Sequence, residues 1–548
     1  VNAEYFLDTS FGSHTFKGGF VNTENTYFQT DSVPGGVTYA SLAAQYAGTT
    51  LGTYRRPATD VYPGWTARAI TSTDYANFLQ PALNENDRAL ALLDTDASGS
   101  ISTAELDALV FDSTDGNPYG NVNVYRTVRA ADGPYTVSSE GQSLYLQDTW
   151  TLNQLTINAG LRAEKWEHFA SDGSQIAEFD WDVAPRVSVV YDLVGDGRSK
   201  IFGFVGRYYD PIRNDMSDFA GALTGPTNNE QIYIGDATGG EWVTFRTRGP
   251  GDAAISPNTK TPYTDEFMFG ASTTIGASIG LSATVTHRVS KDIMEDYDLS
   301  LYSDPNGDTA HGAADENSPF YLPLSYFGYD THPGTNYVIG TLAGGKREYT
   351  GFEVVLTKFK TDNWMGQMSY TYNRAYGNSN SDGNADFQGD WLALDPRAPN
   401  MWGKQAGNIE HLFKAYGSYE FDFGLEVSAV FNWNSGALYT PADVVQSRYL
   451  PPMSDGYEYG GVFDSWVLPG FVGSEKNPDY YTFDMRFKYV RDLPIGEAEF
   501  FLDVFNVLDE QSTTSVVANR AGSGQYDYQD ANNWVAPRRA YLGVRYSF

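Results

Sequence analysis

Long stretches of this chain alternate apolar and polar residues with a period of two. In the last segment Leu542, Val544, Tyr546 and Phe548 alternate with Tyr541, Gly543, Arg545 and Ser547. Residues 155–164 (LTINAGLRAE) set Leu155, Ile157, Ala159 and Leu161 against Thr156, Asn158, Gly160 and Arg162, and residues 366–373 repeat the pattern. Such alternation gives a strand one apolar face and one polar or glycine-bearing face. Several of these runs reach about ten residues, long enough to cross a bilayer at a tilt. A soluble sandwich would show the same pattern over shorter strands. No apolar run approaches the ~18 residues of a transmembrane helix. The chain is polar on average, which is compatible with a membrane barrel because its strands bury only alternate residues in lipid.

Short and long connections alternate as well. Tight turns are expected at 9–13, 152–154, 194–198, 275–278, 361–363, 422–424 and 494–497. Between them lie long segments rich in Gly, Asp, Asn and Pro, such as 210–260, 304–346, 376–408 and 441–478. Short turns on one side and long loops on the other are the pattern of an outer-membrane barrel. Aromatics make up 15% of the chain, which suits the aromatic girdles of its two rims. The expected fold is therefore all-β, a transmembrane antiparallel β-barrel. If Phe548 ends on the periplasmic side and the region from Phe28 to about Glu140 is one external excursion, about fifteen strands span the membrane. An odd count places Val1 outside the cell, whereas single-chain bacterial barrels have even counts. The expectation is then a partial barrel over 1–548. Set against a 22-stranded transporter, it would lack roughly seven strands and a plug.

The formal net charge is −33, from 69 acidic and 36 basic residues. Phosphate backbones need clustered Lys and Arg, so nucleic acid is not an expected partner; outer-membrane lipid is. The chain has no cysteine, which excludes a disulfide framework and thiol chemistry. No G-x-x-x-x-G-K-[ST], H-E-x-x-H, paired C-x-x-C or G-x-S-x-G element is present, and His14, His168, His287, His311, His332 and His411 are scattered. Nothing here argues for an enzyme.

Several segments carry a family resemblance. They are His14-Thr15-Phe16-Lys17-Gly18-Gly19-Phe20, the 144–150 segment (LYLQDTW) followed by 155–164, and Ala184-Pro185-Arg186-Val187 leading to the 203–209 segment (GFVGRYY). Further along are Lys260-Thr261-Pro262-Tyr263-Thr264-Asp265-Glu266, Tyr349-Thr350-Gly351-Phe352-Glu353, Val504-Phe505-Asn506-Val507-Leu508-Asp509 and the closing stretch from Ala536-Pro537-Arg538 to Phe548. In this order they resemble the barrel of TonB-dependent receptors of the Oar-like type. The resemblance implies an extracellular ligand bound by the outer loops and upper plug. It also implies a TonB-type energy-coupling protein acting on the plug from the periplasm. The plug, the TonB box and the peptidase-regulatory-like N-terminal domain of that branch have no counterpart in this sequence.

One local motif stands apart from the strands. Residues 94–105 (DTDASGSISTAE) fit a twelve-residue EF-hand loop position by position. Asp94, Asp96 and Ser98 supply oxygens at positions 1, 3 and 5, and Gly99 stands at position 6, where the chain turns sharply. Ser100 offers its backbone carbonyl at position 7, Ser102 acts directly or through water at position 9, and Glu105 gives the carboxylate of position 12. Residues 84–93 and 103–110 read as short amphipathic helices, so 72–111 is expected to be an EF-hand-like insert within an extracellular loop, binding Ca2+. Three acidic ligands point to an affinity of roughly 10⁻⁴ to 10⁻³ M. The same residues also read as an Asp-rich turn before a helix capped by Ser102 and Glu105. Asp304, Asn306, Asp308 and Asp315 have partial calcium spacing but lack the glycine, and are read as a solvated loop, as is 381–391.

The functional expectation is active transport of a specific ligand, an oligosaccharide or peptide. Aromatics such as Tyr208, Tyr209, Tyr302, Tyr321, Tyr326, Trp391, Trp402, Tyr449, Tyr457, Tyr459 and Trp466 are available to stack on it, or to pack the loops and outer girdle. A passive porin and a surface barrel that binds a partner protein are the alternatives.

Overall fold

A computed structural model describes residues 1–30, 34–42, 50, 79–109, 122–131, 134–236, 239–248, 253–303, 321–335, 337–379, 397, 402–443, 466–467, 472–520, 522 and 525–548. Its main feature is one antiparallel sheet. Fifteen strands follow one another in it as a meander: β1 Asn2–Thr9, β2 Gly12–Thr30, β3 Pro134–Leu152, β4 Leu155–Phe169, β5 Gln175–Asp192, β6 Ser199–Tyr209, β7 Tyr263–Ile275, β8 Ile279–Lys291, β9 Lys346–Lys358, β10 Trp364–Gly377, β11 His411–Glu420, β12 Leu425–Asn434, β13 Tyr480–Leu493, β14 Gly496–Phe505 and β15 Arg539–Ser547. A sixteenth, Gly403–Lys404, pairs with β10. Among the described residues β1 and β15 are not paired with each other, so the sheet is open.

All seven expected tight turns join consecutive strands at one end of this sheet. Their chemistry is local. Asn153 adopts φ 53 between β3 and β4, a left-handed conformation that Asn tolerates. Between β5 and β6, Asp192 accepts hydrogen bonds from the backbone N–H groups of Gly195 (2.9 Å) and Gly197 (2.7 Å), a side-chain mimic of a turn. β2 and β3 have 19 residues each, well beyond the ~9–11 needed to cross a bilayer. Their far ends therefore stand outside the membrane, and the connection between them, residues 31–133, falls within the external excursion expected from Phe28 to about Glu140.

The two faces of the sheet differ. Val205, Phe267, Phe269, Val285, Phe352 and Met368 lie on one face, in register across β6 to β10, and are exposed. Their neighbours Glu266, Ser272, Thr284, Glu353 and Thr371 point the other way. A band of exposed apolar side chains on one face is what lipid requires, and the more polar face corresponds to the lumen side of a barrel wall.

The long loops are folded too. Strands Gly239–Arg248, Thr227–Asp236, Val122–Ala131 and Val37–Leu42 form a second, four-stranded sheet in that order. It combines two excursions, one between β2 and β3 and one between β6 and β7. Three short helices precede its second excursion: α1 Gln80–Asn84, α2 Asp87–Leu93 and α3 Thr103–Asp107. A fourth, α4 Asn214–Gly221, packs on the wall, where Phe179 of β5 shares a buried cluster with Ile212, Met216 and Ala220.

Candidate metal centre and lumen cavity

Helices of five, seven and five residues are far below the ~12–15 residues at which isolated helices become stable. Their order comes from caps and packing. Asn86 caps α2, accepting from Ala89 N–H at 2.9 Å. Ser102 caps α3, and the reciprocal bond to Glu105 completes a capping box. Leu79, Leu83, Ala89, Ile101 and Leu106 are fully buried, and they pack on Ile232, Ile234, Val243 and Phe245 of the outer hairpin 227–248. The described part of the insert is 79–109; the rest of the expected 72–111 span lies outside the described residues.

Within this frame one carboxylate oxygen each of Asp94, Asp96 and Glu105 lies within 4.8 Å of the others. Ligands at 2.3–2.6 Å from a single Ca2+ cannot be more than about 5 Å apart, so the three fit one coordination sphere. Asp94 holds the loop from inside, accepting from Ser98 N–H (2.9 Å) and Gly99 N–H (2.8 Å). Gly99 has φ +84, the sharp turn that position 6 requires. The Ser98 hydroxyl donates to the Ser100 carbonyl at 2.9 Å. The Ser102 hydroxyl donates to Glu105 Oε2 at 2.8 Å, and Glu105 Oε1 accepts from Thr95 N–H at 2.6 Å. Backbone and side-chain bonds from Ser102, then the Thr95 hydroxyl, hold the Glu105 carboxyl down to about 2. Of the residues expected as ligands, Asp94, Asp96 and Glu105 therefore lie together and offer oxygen donors, the kind a hard divalent cation takes.

The lumen contains a feature with no local signal in the sequence. A cavity of about 290 Å³ is lined by Asp210, Arg213, Arg288, Arg347, Tyr349 and Gln405, among others. These six come from four separate segments. Arg288 and Tyr349 are register partners across β8 and β9, with the guanidinium 5.7 Å from the ring centroid. Arg288 also donates to Glu266 at 2.5 Å, and Arg213 pairs with Asp215 at 3.0 Å. Four basic residues (Arg213, Arg288, Lys291, Arg347) line the cavity against two acidic ones (Asp210, Glu348), in a chain with net charge −33.

Of the aromatics expected at the outer face, Tyr302 is buried in a loop core with Tyr297 and Phe327, and Tyr326 donates its hydroxyl to the Thr341 carbonyl. Packing explains both. Tyr209 sits with Tyr263 and Arg207 on the same face as Val205, a rim arrangement. Tyr208 and Trp402 are exposed. Trp391, Tyr449, Tyr457, Tyr459 and the 304–315 and 381–391 acidic loops lie outside the described residues.

Comparison with known proteins agrees with this geometry. Residues 180–440 match the outer membrane beta barrel domain family. Over 419 residues the chain is 23% identical to the TonB-dependent transporter Oar of Myxococcus xanthus, covering 68% of this chain and 36% of that protein. The outer membrane transporter YddB from Escherichia coli shares the fold, with a TM-score of 0.55 at 11% identity, covering 99% of this chain and 53% of that one. The chain thus spans about a third of its curated relative and about half of this structural neighbour. Both of those relatives are transporters. The chain is thus similar to outer-membrane β-barrel domains and to a TonB-dependent transporter, and this similarity places it in the outer membrane of a Gram-negative bacterium.

Proposed function

We propose that this chain forms the wall of a TonB-dependent importer for a specific extracellular ligand. The fifteen-strand meander with an apolar outer face, in a chain similar to a TonB-dependent transporter, carries the reading. A TonB-type energy-coupling protein is the implied partner. The ligand class we propose is an oligosaccharide or peptide, for which Tyr349 and the paired arginines around the lumen cavity offer ring and hydrogen-bonding surfaces. Labelled peptides and oligosaccharides offered to expressing cells test this. Accumulation that stops with a protonophore supports energised import. Accumulation that ignores the protonophore identifies a passive pore and overturns it.

The second part of the proposal is that the loop of Asp94, Asp96, Ser98, Ser100, Ser102 and Glu105 binds Ca2+ and stiffens the outer surface. The support is the carboxylate convergence within 4.8 Å. Calorimetric titration of the full chain is expected to give a dissociation constant of roughly 10⁻⁴ to 10⁻³ M. No heat at millimolar calcium leaves the capping box as the sole role of Ser102 and Glu105. The folded outer sheet also favours a surface-binding role, which deletion of the gene separates from uptake through loss of surface assembly alone.

A further inference from the structure

Ile101 is position 8 of the candidate calcium loop, and it faces two ways. Its side chain is fully buried in the cluster that contains Ile232, Ile234, Val243 and Phe245 of the outer hairpin. Its backbone is bonded on both sides by side-chain amides from α1. The Ile101 N–H donates to Asn84 Oδ1 at 2.6 Å, and Gln80 Nε2 donates to the Ile101 carbonyl at 2.7 Å. A buried peptide needs both groups satisfied, and a neighbouring strand is the usual source. Here two amides four residues apart, on one face of a helix, take that place. Leu79 and Leu83, on the same short helix segment, are fully buried in the same cluster. An ion pair, Arg88 with Glu241 at 3.9 Å, spans the junction at its edge; exposed pairs of this kind contribute little, so the apolar contact carries the coupling.

We propose that Asn84 and Gln80 are positioning residues for the 94–105 loop, and that Ile101 links the order of this loop to the order of the 227–248 hairpin. The metal part of this inference rests on the calcium reading above. The packing part does not. Neither helix nor loop is large enough to hold itself in shape, so anything that fixes the loop backbone fixes Ile101, and Ile101 fixes the hairpin residues it packs against. By linkage the converse holds: an ordered hairpin raises the loop's affinity for a cation.

The test uses the full chain in detergent or lipid, calcium as the ligand, and two readouts. Calorimetry gives the calcium affinity, and amide hydrogen exchange gives the order of 227–236 and 239–248. Calcium is expected to slow exchange in both hairpin strands. Asn84→Ala, a change that favours the helix itself, is expected to weaken calcium binding about tenfold, as loss of one backbone-satisfying bond predicts. Asn84→Asp keeps the acceptor oxygen and restores the affinity. Gln80→Glu, which cannot donate, weakens it as Asn84→Ala does. Calcium that binds without changing hairpin exchange overturns the link, and wild-type affinity in Asn84→Ala overturns the positioning role. If the unaltered chain binds no calcium, the metal reading fails, and metal-free exchange decides the packing claim. Asn84→Ala must then speed exchange of the hairpin, and unchanged exchange refutes it.

Discussion

The Glu105 carboxylate caps α3 and faces Asp94 and Asp96 at once. Glu105→Gln keeps an acceptor for the Ser102 N–H but removes the charge. Calorimetry is expected to show calcium affinity at least tenfold weaker, with helix content by circular dichroism little changed. Because the hydrogen bonds of Ser102 and Thr95 lower this group from 4.5 to about 2, its stabilising effect is complete above about 4.5. That effect is lost as pH falls through about 2, and exchange in 94–107 is the readout. His168 behaves oppositely in cause. It lies at the outer end of β4, beyond the spanning residues, fully buried, with Nδ1 2.8 Å from the Ser217 hydroxyl of α4. Burial pushes it from 6.5 down to about 4. The folded state then binds fewer protons than the unfolded one. There is no cost above 6.5, stability drains as pH falls from 6.5 to about 4, by about 3 kcal/mol in all, and below that nothing further is lost. Exchange in 214–221 is expected to accelerate across that window and to become flat in His168→Phe. The convergence of Asp94, Asp96 and Glu105 was legible because the three stand within twelve consecutive residues. The burial of His168 was not, because it depends on Ser217, 49 residues away.

Among the elements, the wall strands were readable almost residue by residue. Alternation assigns faces, and the turn chemistry of residues such as Asn153 and Asp192 sits within a few positions of the turn. A direct check uses one strand. Phe269→Arg puts a charge near the middle of the lipid face of β7, which is expected to cost about 2–4 kcal/mol, measured by urea unfolding in lipid. Ser272→Arg, on the lumen face of the same strand, is expected to have little effect. The outer sheet was not readable. Arg126 bonds Gln231 at 2.7 Å across 105 residues, and no local pattern announces such a partner. The lumen arginines were missed for the same reason, since Arg213, Arg288 and Arg347 reach one cavity from different elements.

At the level of the whole molecule, a lipid-embedded wall carries a folded outer storey. Replacing 227–248 by a short flexible linker is expected to leave the wall intact, seen as unchanged heat-modifiable migration on gels. Protection from exchange in 79–109 should disappear, because Leu79, Leu83 and Ile101 lose their packing surface. Full protection in that variant refutes the shared core. The four-stranded outer sheet draws two strands from each of two excursions. Phage and immune recognition favour change in exposed loops of bacterial surfaces, and unconnected loops can drift one at a time. Here a substitution in 122–131 must still suit 227–236 beside it, so a loop transplanted without its companion is expected to lose the strand it pairs with.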